Sequence, residues 1–521
     1  MNLLLDLVIL SSGLHAQLVT SQFDNARTGA NLHETTLTPS NVNSGQFGKV
    51  FSFPVDGDIY AQPLYLPRVE IPGKGIHNVL YVATEHDSVY AFDADGPSAE
   101  PLWHVNFLNA NAGVTTVPAQ DARCPFLTPE IGITPTPVID LQTGTLYVLA
   151  RTKESQGFLK DSRYVQRLHA LAVTTGVEKL GGPVEIKAPA FDPLRELPRA
   201  ALLLAGGEVY MTWASSCDAG PYHGFVMAYD AHTLKQTAVL NTSPDAGEGG
   251  IWQSDNGPAA DEEGNVYVAT GNGKFTAAAN GRDYGDSLLK LDGHTLSVRD
   301  YFTPFDERDL NAHDVDLGSG SPLLLPAPLP SPLPSQLSSQ SGEHPHLLLI
   351  AGKSGILYVL DRDRLGKIQP ASDSQAVQVF HLRGGAYSAP AYWNGHVYFL
   401  ARGDYLLDFA VQRGRLSGRP AVIGEQRFEN PGATPTVSAN GTRNAIVWLI
   451  ETKVWNGRDQ PAVLHAYDAL NVAHELYSSK LNAARDRAGK TLRFTVPTVM
   501  NGRVYVEAKR RVEVYGLLPS R

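Results

Sequence analysis

A two-stranded pattern that recurs along the chain constrains its fold more than any other feature. The first copy, Asn78–Asp95 (NVLYVATEHDSVYAFDAD), predicts strands at Val79–Thr84 and Val89–Asp93 joined by a polar turn. Val, Leu, Tyr and Phe fill both arms and favour strands. One hairpin cannot bury its apolar faces alone. Further copies follow at a spacing of roughly 50 to 80 residues, a period typical of radial or solenoid arrays. They lie at 144–173, 207–231, 264–293, 346–362, 395–411, 445–469 and 503–517.

Two more strands accompany most of these hairpins. A short run around a small residue and Pro precedes the hairpin, as in AQPLYL (61–66) and SAPAYW (388–393), and an apolar run such as PLWHVNF (101–107) often follows it. Four strands per unit in eight units predict an all-β fold, an eight-bladed β-propeller of four-stranded antiparallel blades. A β-sandwich or a parallel β-helix is the alternative, although solenoid rungs would be shorter and more uniform.

The last blade is short of one strand. Its hairpin ends at Leu517–Leu518, whereas GKVFSFPV (48–55) alternates apolar and polar residues with no partner nearby in the sequence. We predict that this N-terminal strand completes the last blade, because closure removes exposed strand edges. The chain then divides into a signal peptide (1–16), an N-terminal arm (17–46) that crosses one face, and one propeller domain (47–521). A Pro/Ser-rich loop at 326–346 interrupts the propeller.

The charge and the N-terminus bear on partners and location. A net charge of −10 argues against nucleic-acid binding, which needs a basic footprint. Residues 1–16 combine an apolar run with a small-residue cleavage site before Gln17, which predicts secretion. Asp6 stands where a positive charge is expected, and a buried N-terminal strand is the alternative. No other stretch approaches the roughly 20 apolar residues that span a bilayer. We therefore expect a secreted or periplasmic protein with no integral membrane segment in the mature chain.

The two cysteines, Cys124 and Cys217, fit an exported protein with one disulfide. Cys124 lies between the first two hairpins and Cys217 in the long turn of the third. Connections between blades and turns between second and third strands emerge on the same face, so both cysteines belong to one rim on adjacent blades. Two unpaired thiols are the alternative. The chain has no CxxCH haem site and no CxxC metal knuckle.

A first polar cluster, GEGGIWQSDNGP (247–258), leads into blade 4 on the side where the central funnel opens. Its glycines let the backbone approach a ligand closely. Trp252 offers a stacking surface, and Gln253, Asp255 and Asn256 offer polar groups. Ligand sites favour such mouths, so these four residues are predicted to bind a ligand. Turn formation alone is the alternative.

A second cluster, FDERDLNAHDVDLGSGSP (305–322), leads into blade 5 and is rich in carboxylates. Hard cations need several oxygen ligands, which makes Asp309, Asn311, Asp314 and Asp316 candidate metal ligands, with a solvated acidic loop as the alternative. Gln62, Glu130 and Tyr387 are predicted at the same rim as further ligand-binding candidates. Other polar residues predicted there are Arg427, His86, Asp87 and His223. No Ser/His/Asp order, H-E-x-x-H motif or phosphate loop is present.

The tails of several hairpins share a pattern. Ala91-Phe92-Asp93 is followed by Trp103, and the second hairpin ends in a Thr-Thr-Gly run at 174–176. Asp or Thr-Gly after a strand suits a tight turn. The tails also resemble the A-x-D-x-x-T-G-x-x-x-W blade signature of the quinoprotein dehydrogenases and other pyrroloquinoline quinone (PQQ)-like propellers. The match is degenerate, since Ala172 replaces the Asp and Leu180 lies near the Trp position. The resemblance implies an eight-bladed fold in an exported protein.

The resemblance leaves the function open. Quinoprotein alcohol dehydrogenases carry adjacent cysteines over the cofactor, which this chain lacks, and a calcium held by Glu, Asn and Asp. No catalytic residue is carried over. Non-enzymatic scaffold proteins of outer-membrane assembly use the same fold. We predict a binding or scaffold module whose funnel face takes a small molecule, glycan or protein. A PQQ-dependent dehydrogenase of alcohols or sugars, using PQQ and Ca²⁺, is the alternative, and hydrolysis by paired rim carboxylates is a third reading.

Overall fold

The computed structural model describes residues 16–156, 161–254, 256–327, 344–453 and 460–519. The predicted signal peptide lies almost entirely outside the described residues, as do Asp255 and most of the Pro/Ser-rich loop. Eight antiparallel sheets follow one another along the chain as the blades of a propeller, so the predicted all-β, eight-bladed architecture is confirmed. Within the described part of the chain, no helix has the length and apolar character needed to cross a membrane.

In each blade, four principal strands lie side by side from the channel outward. Blades 1 to 4 comprise Leu64–Ile71, Gly75–Ala83, Ser88–Asp93 and Trp103–Asn106; Val138–Asp140, Thr145–Gln156, Asp161–Ala172 and Val184–Glu185; Leu203–Ala205, Glu208–Ser215, Phe225–Asp230 and Gln236–Asn241; Ala259–Ala260, Asn265–Ala269, Leu288–Asp292 and Val298–Phe302. Blades 5 to 8 comprise Leu323–Leu324, Leu347–Ala351, Ile356–Asp361 and Gln378–His381; Ala391–Trp393, His396–Phe399, Tyr405–Gln412 and Val422–Arg427; Thr436–Asn440, Arg443–Glu451, Val463–Asp468 and Asn471–Ser478; Thr498–Met500, Arg503–Ala508, Arg511–Leu517 and Phe47–Pro54.

Short elements decorate this ring. Val114–Pro118 and Glu130–Ile131 extend the long hairpin of blade 2, Glu196–Leu197 extends blade 3, Arg415–Leu416 extends blade 6, and Ala30–Asn31 joins blade 7. The described α-helices are Glu307–Ala312 and Ala483–Asp486, and the 3₁₀ turns are Ala110–Ala112, Ala277–Ala279 and Leu317–Ser319.

The outer strand of blade 8 comes from the beginning of the chain. Phe47–Pro54 pairs antiparallel with Arg511–Leu517, with Phe47 opposite Leu517 and Pro54 opposite Arg511. Apolar side chains then fill the space between neighbouring blades. The rings of Phe53 and Phe92, for example, stack 4.5 Å apart between blades 8 and 1.

A tyrosine on the second strand of several blades links each to the next. Its hydroxyl donates to a carbonyl just after the third strand of the following blade, as from Tyr81 to Val173 (3.1 Å) and from Tyr210 to Gly293 (2.9 Å). Further examples are Tyr147 to Ala231, Tyr398 to Ala469 and Tyr505 to Ala94. A buried tyrosine hydroxyl needs a partner, and here that partner fixes the angle between blades.

The N-terminal arm enters the central channel and meets the inner strand of every blade in order. Its hydrogen bonds join Leu18 to Tyr65, Val19 to Ile139, Asn25 to Leu204 and to Ala260, Ala26 to Leu324, Thr28 to Tyr392, Gly29 to Val437 and Asn31 to Val499. Residues 18–31 therefore fill one end of the channel, and the cavity at the other end is a funnel with a closed floor.

Candidate ligand cavity in the funnel

A cavity of about 380 Å³ opens where the inter-blade connections enter the inner strands. Its aromatic lining consists of Tyr60, Phe126, Trp252, Tyr387 and Phe494, and its charged lining consists of Arg199, Asp218, Asp314, Asp316, Lys353 and Arg493. Most of these residues precede an inner strand by a few positions, so the ring of blades brings together segments far apart in the sequence. We call this space the funnel cavity.

Arginines stack on aromatic rings along one wall. The guanidinium carbon of Arg199 lies 5.8 Å from the ring centroid of Tyr60 and 5.4 Å from that of Phe494. That of Arg493 lies 4.2 Å from the centroid of Phe126. Burial lowers the pKa of Arg493, but a guanidinium stays charged at neutral pH. This wall therefore presents flat apolar surface and positive charge together.

The opposite wall is acidic and contains one lysine. The Lys353 ammonium lies 2.8 Å from Asp314 Oδ1 and 2.5 Å from Asp316 Oδ2. Burial alone would lower the pKa of Lys353, but the two carboxylates outweigh it and raise the pKa. The backbone N–H of Asn272 donates to Asp316 Oδ1 at 2.7 Å. Asp218 lies on the same wall, and desolvation followed by the charges of its acidic neighbours raises its pKa to about 6.

Trp252 joins the two walls. Its indole N–H is buried and has no hydrogen-bond partner among the described residues. Gly271 makes the approach of Trp252 to Asp316 possible, since a Cβ at Gly271 would lie 2.2 Å from Asp316 Oδ1 and 3.0 Å from Trp252 Cδ1. A buried donor without a partner is uncommon in native proteins, so this indole is available to a ligand in the funnel cavity.

The disulfide between Cys124 and Cys217 is present, as predicted, with the two Cα atoms 5.1 Å apart. Cys217 lines the funnel cavity next to Asp218, and both residues have a left-handed φ of 56°. The bond ties the loop that carries Phe126 to the hairpin turn of blade 3. It therefore holds the two sides of the cavity mouth together.

The sequence-predicted ligand residues divide between lining and support. Trp252 and Tyr387 line the funnel cavity. Gln62, Gln253 and Asn256 are buried beside it and hold backbone instead. Gln62 Oε1 accepts from the N–H of Gln22 in the arm (3.0 Å), Gln253 Nε2 donates to the Gly257 carbonyl (3.0 Å), and Asn256 Oδ1 accepts from the Gly257 N–H (2.8 Å). Asp255 lies outside the described residues, and Glu130 lines a separate, smaller pocket.

The four candidate metal ligands do not converge. Asp314 and Asp316 share the Lys353 ammonium, whereas Asp309 is exposed on the helix Glu307–Ala312 and Asn311 Oδ1 accepts from the Gly273 N–H at 2.8 Å. In the residues that the structure describes, no group of three or more His, Cys, Asp or Glu side chains is arranged to hold a metal ion. A calcium site at these residues stays a prediction.

Sequence reasoning missed most of the charged lining. Arg199 and Arg493 lie in connections that match no motif, and Lys353 lies in a tight turn (AGKSG, 351–355) that reads as turn chemistry alone. Their position in the chain could have indicated them, because each arginine precedes an inner strand by four or five residues. Trp252 and Tyr387 also precede an inner strand by a few residues.

Solved structures share this architecture. A quinohemoprotein alcohol dehydrogenase from Pseudomonas putida HK5 covers 97% of this chain and 81% of its own, at 14% identity and a TM-score of 0.62. The quinohemoprotein alcohol dehydrogenase from Comamonas testosteroni covers 96% and 80%, at 15% identity and a TM-score of 0.61. A europium-containing methanol dehydrogenase reaches a TM-score of 0.50 over 96% and 98%, at 13% identity. The fold is that of the quinoprotein alcohol dehydrogenases.

No protein-family model and no curated protein matches the sequence. The solved structures confirm the resemblance drawn from the hairpin tails at the level of the fold, which is a quinoprotein-like propeller. Propellers of one architecture serve many functions, so the function of this chain has to be argued from its cavity.

Proposed function

We propose that the funnel cavity binds one small, planar, anionic molecule. The observation that carries the proposal is the combination of aromatic walls with the cations Arg199 and Arg493 around about 380 Å³, a volume in the range of small-molecule sites. Aromatic rings supply flat contact area, and guanidinium groups pair with carboxylates in a fixed geometry. The indole N–H of Trp252, which has no partner among the described residues, adds a donor for a ligand oxygen.

PQQ has the required chemistry, since it is a planar o-quinone with three carboxylates. Arg199 and Arg493 would pair with its acidic groups, and Trp252 and Tyr60 would contact its rings. Calcium is not part of this proposal, because Lys353 already bridges the two carboxylates nearest the cavity. The disulfide supports an exported, periplasmic or secreted protein.

A second candidate function is the oxidation of an alcohol or sugar. Asp316 favours it, because this carboxylate is 2% exposed, lines the funnel cavity and is oriented by Asn272 and Lys353. A positioned carboxylate of this kind takes a proton from a substrate hydroxyl as a general base. When bound, the quinone would supply the electron acceptor. Burial raises the pKa of Asp316, and Lys353 would oppose that rise and hold the carboxylate in place.

Titration of the purified protein with PQQ, followed by calorimetry and absorbance, tests the proposal. We expect saturable one-to-one binding that Arg493→Gln weakens at least tenfold. Arg308→Gln, at an exposed arginine outside the cavity, should leave the affinity unchanged. Equal affinity in both variants, or no binding of PQQ, would overturn the proposed ligand. An assay with alcohols, sugars and an artificial electron acceptor separates the two functions, because binding without turnover rejects the dehydrogenase.

A glycan or protein partner of the funnel face is the remaining proposal. Such a partner would contact the rim without needing the buried indole and lysine of the cavity. Binding that survives Trp252→Ala and Arg493→Gln would favour it.

A further inference from the structure

A second, smaller pocket lies behind Tyr60, on the side away from the funnel cavity. It encloses about 50 Å³, enough for one small group, and Tyr60 lines both spaces. Its other side chains include Asp56, Asp58, Glu85, Glu130 and Arg510. Four carboxylates therefore face a space the size of one or two water molecules. Arg510 is exposed at the rim.

Glu85 is the group that makes this pocket a site. It is 1% exposed. Its Oε2 accepts from the Gly132 N–H at 2.7 Å and from the Thr134 hydroxyl at 3.2 Å. Its Oε1 is buried and has no hydrogen-bond partner among the described residues. A buried carboxylate costs several kcal/mol unless it is paired or protonated. Burial raises the pKa of Glu85 to about 7, so either a proton or a donor from a ligand completes this group.

The backbone is built to hold Glu85 in this position. A Cβ at Gly132 would lie 2.4 Å from the Glu85 carbonyl oxygen and 2.8 Å from Asp87 Oδ1. A Cβ at Gly57 would lie 2.6 Å from the His86 nitrogen. Only glycine allows these two segments to close on the turn of blade 1. Close packing of the main chain therefore fixes the position of Glu85 in the pocket.

Two of the other carboxylates, Glu130 and Asp56, keep lone pairs for a ligand. The Glu130 oxygens lie 3.0 and 3.1 Å from His86 Nδ1, and Thr116 donates to one of them. Asp56 accepts from the hydroxyls of Thr84 and Ser88. Each carboxylate has about four acceptor positions, so these bonds do not exhaust them. Among the described residues that line the pocket, no cation is buried to the same degree as these carboxylates.

We propose that this pocket binds a primary ammonium group of a small organic amine. An ammonium donates three hydrogen bonds in different directions, which suits carboxylates that surround a space without converging on one point. A metal ion needs convergent ligands, and the described residues contain no such group. The Tyr60 ring adds a face for a cation. The site is separate from the anion-binding funnel cavity on the other side of Tyr60.

Titration with ¹³C-labelled methylammonium, followed by NMR line width, tests this assignment. We expect one saturable site that ethylenediamine displaces and tetramethylammonium, which has no N–H, does not. Glu85→Gln should weaken binding at least tenfold. Glu196→Gln is the matched control, because Glu196 is also 1% exposed but both its oxygens accept backbone N–H groups. It should leave binding unchanged.

Several results would overturn the assignment. One is the absence of saturable broadening in the wild-type protein, and another is an equal loss in Glu85→Gln and Glu196→Gln. Calcium binding that methylammonium does not displace would make the pocket a metal site instead. If Glu85→Gln fails to fold, Glu130→Gln at the half-buried rim provides the same test. Asp218→Asn in the funnel cavity should not alter methylammonium binding, and a loss there would move the amine to that cavity.

Discussion

Buried polar groups at the two ends of the central channel differ in whether they have hydrogen-bond partners. At the end filled by the arm, Arg27 is fully buried and donates to the Thr20 hydroxyl (2.7 Å) and the Pro258 carbonyl (2.8 Å). At the other end, the indole N–H of Trp252 and Oδ2 of Asp286 are buried without a hydrogen-bond partner in the described part of the chain. Oδ1 of Asp286 accepts from the Leu317 N–H next to Asp316. Arg27 thus has its partners within the protein, whereas the indole N–H and Asp286 Oδ2 have none among the described residues.

This difference supports the proposal that the funnel cavity binds a ligand, while the arm stabilises the fold. Saturated polar networks rigidify a fold, whereas unmet groups mark a place that a ligand or proton completes. The titration of the two ends differs as well. Burial lowers the pKa of Arg27 to about 10, so it stays charged at neutral pH. Burial raises the pKa of Asp286 to about 8, so this carboxyl changes charge near neutrality.

Replacement of Arg27 should destabilise the protein at the end of the channel that the arm fills. Arg27→Met leaves the carbonyls and the hydroxyl that it contacts without a donor, so we expect a loss of about 3–5 kcal/mol in the free energy of unfolding. Urea unfolding measures it. Arg308→Met, at a side chain that is 94% exposed, should change stability by less than about 0.5 kcal/mol. Similar losses in both variants would contradict the role of the arm.

Loss of the disulfide should lower the stability of the protein and weaken ligand binding at the mouth of the funnel cavity. Cys124 and Cys217 are 93 residues apart in sequence, and a loop of that length corresponds to a stabilisation of up to about 4.6 kcal/mol. The double serine variant should lose that stability and bind PQQ more weakly, because Cys217 lines the cavity. A reducing agent should shift the unfolding midpoint of the wild-type protein and leave that of the variant unchanged. Unchanged stability in the variant would contradict this prediction.

Asp286 should make the stability of the protein depend on pH. Its carboxyl is protonated in the folded state up to a pKa of about 8 but ionises near 3.8 when unfolded. The native state therefore holds the extra proton, and stability falls as pH rises between these values. This group should cost about 3 kcal/mol between about pH 5 and about pH 8. Asp286→Asn should flatten that slope in urea unfolding measured across this range, and parallel slopes would contradict it.

Trp252 gives the smallest effect in energy and the most specific one. Trp252→Ala should weaken PQQ binding about tenfold, or about 1.4 kcal/mol, with little loss of stability because the ring is partly exposed. Trp103 is the control, because it is 9% exposed and donates to the Val173 carbonyl at 3.0 Å. Trp103→Ala should lose about 3 kcal/mol of stability and keep its affinity. The reverse pattern would place Trp252 in the core.

The fold could be read from the sequence because each blade is a local pattern. Alternation in Val79–Thr84 and Val89–Asp93 specifies strands without knowledge of distant residues, and eight repeats specify the ring. Trp252 and Tyr387 were also predicted at the funnel, because the connections between blades have a known face. These inferences depend only on order along the chain.

The charged lining and the arm could not be read in the same way. Arg199 and Arg493 stand almost three hundred positions apart in sequence, and only closure of the ring brings both to the same group of aromatic rings. The arm has the composition of a loop and no repeated strand pattern. It meets each blade through only one or two hydrogen bonds, which the sequence does not reveal. Lys353, in the hairpin turn of blade 5, pairs with two aspartates of the segment that leads into the same blade, and no sequence spacing encodes that pairing.

The path of the arm also sets the order in which this protein can reach its native state. Residues 18–31 leave the ribosome before every segment that holds them, and the contacts of Asn31 with Val499 and of Phe47–Pro54 with Arg511–Leu517 require residues made at the end of synthesis. The arm can therefore complete its contacts only after the residues of blade 8 have been synthesised, and pairing of Phe47–Pro54 with Arg511–Leu517 closes the ring of blades.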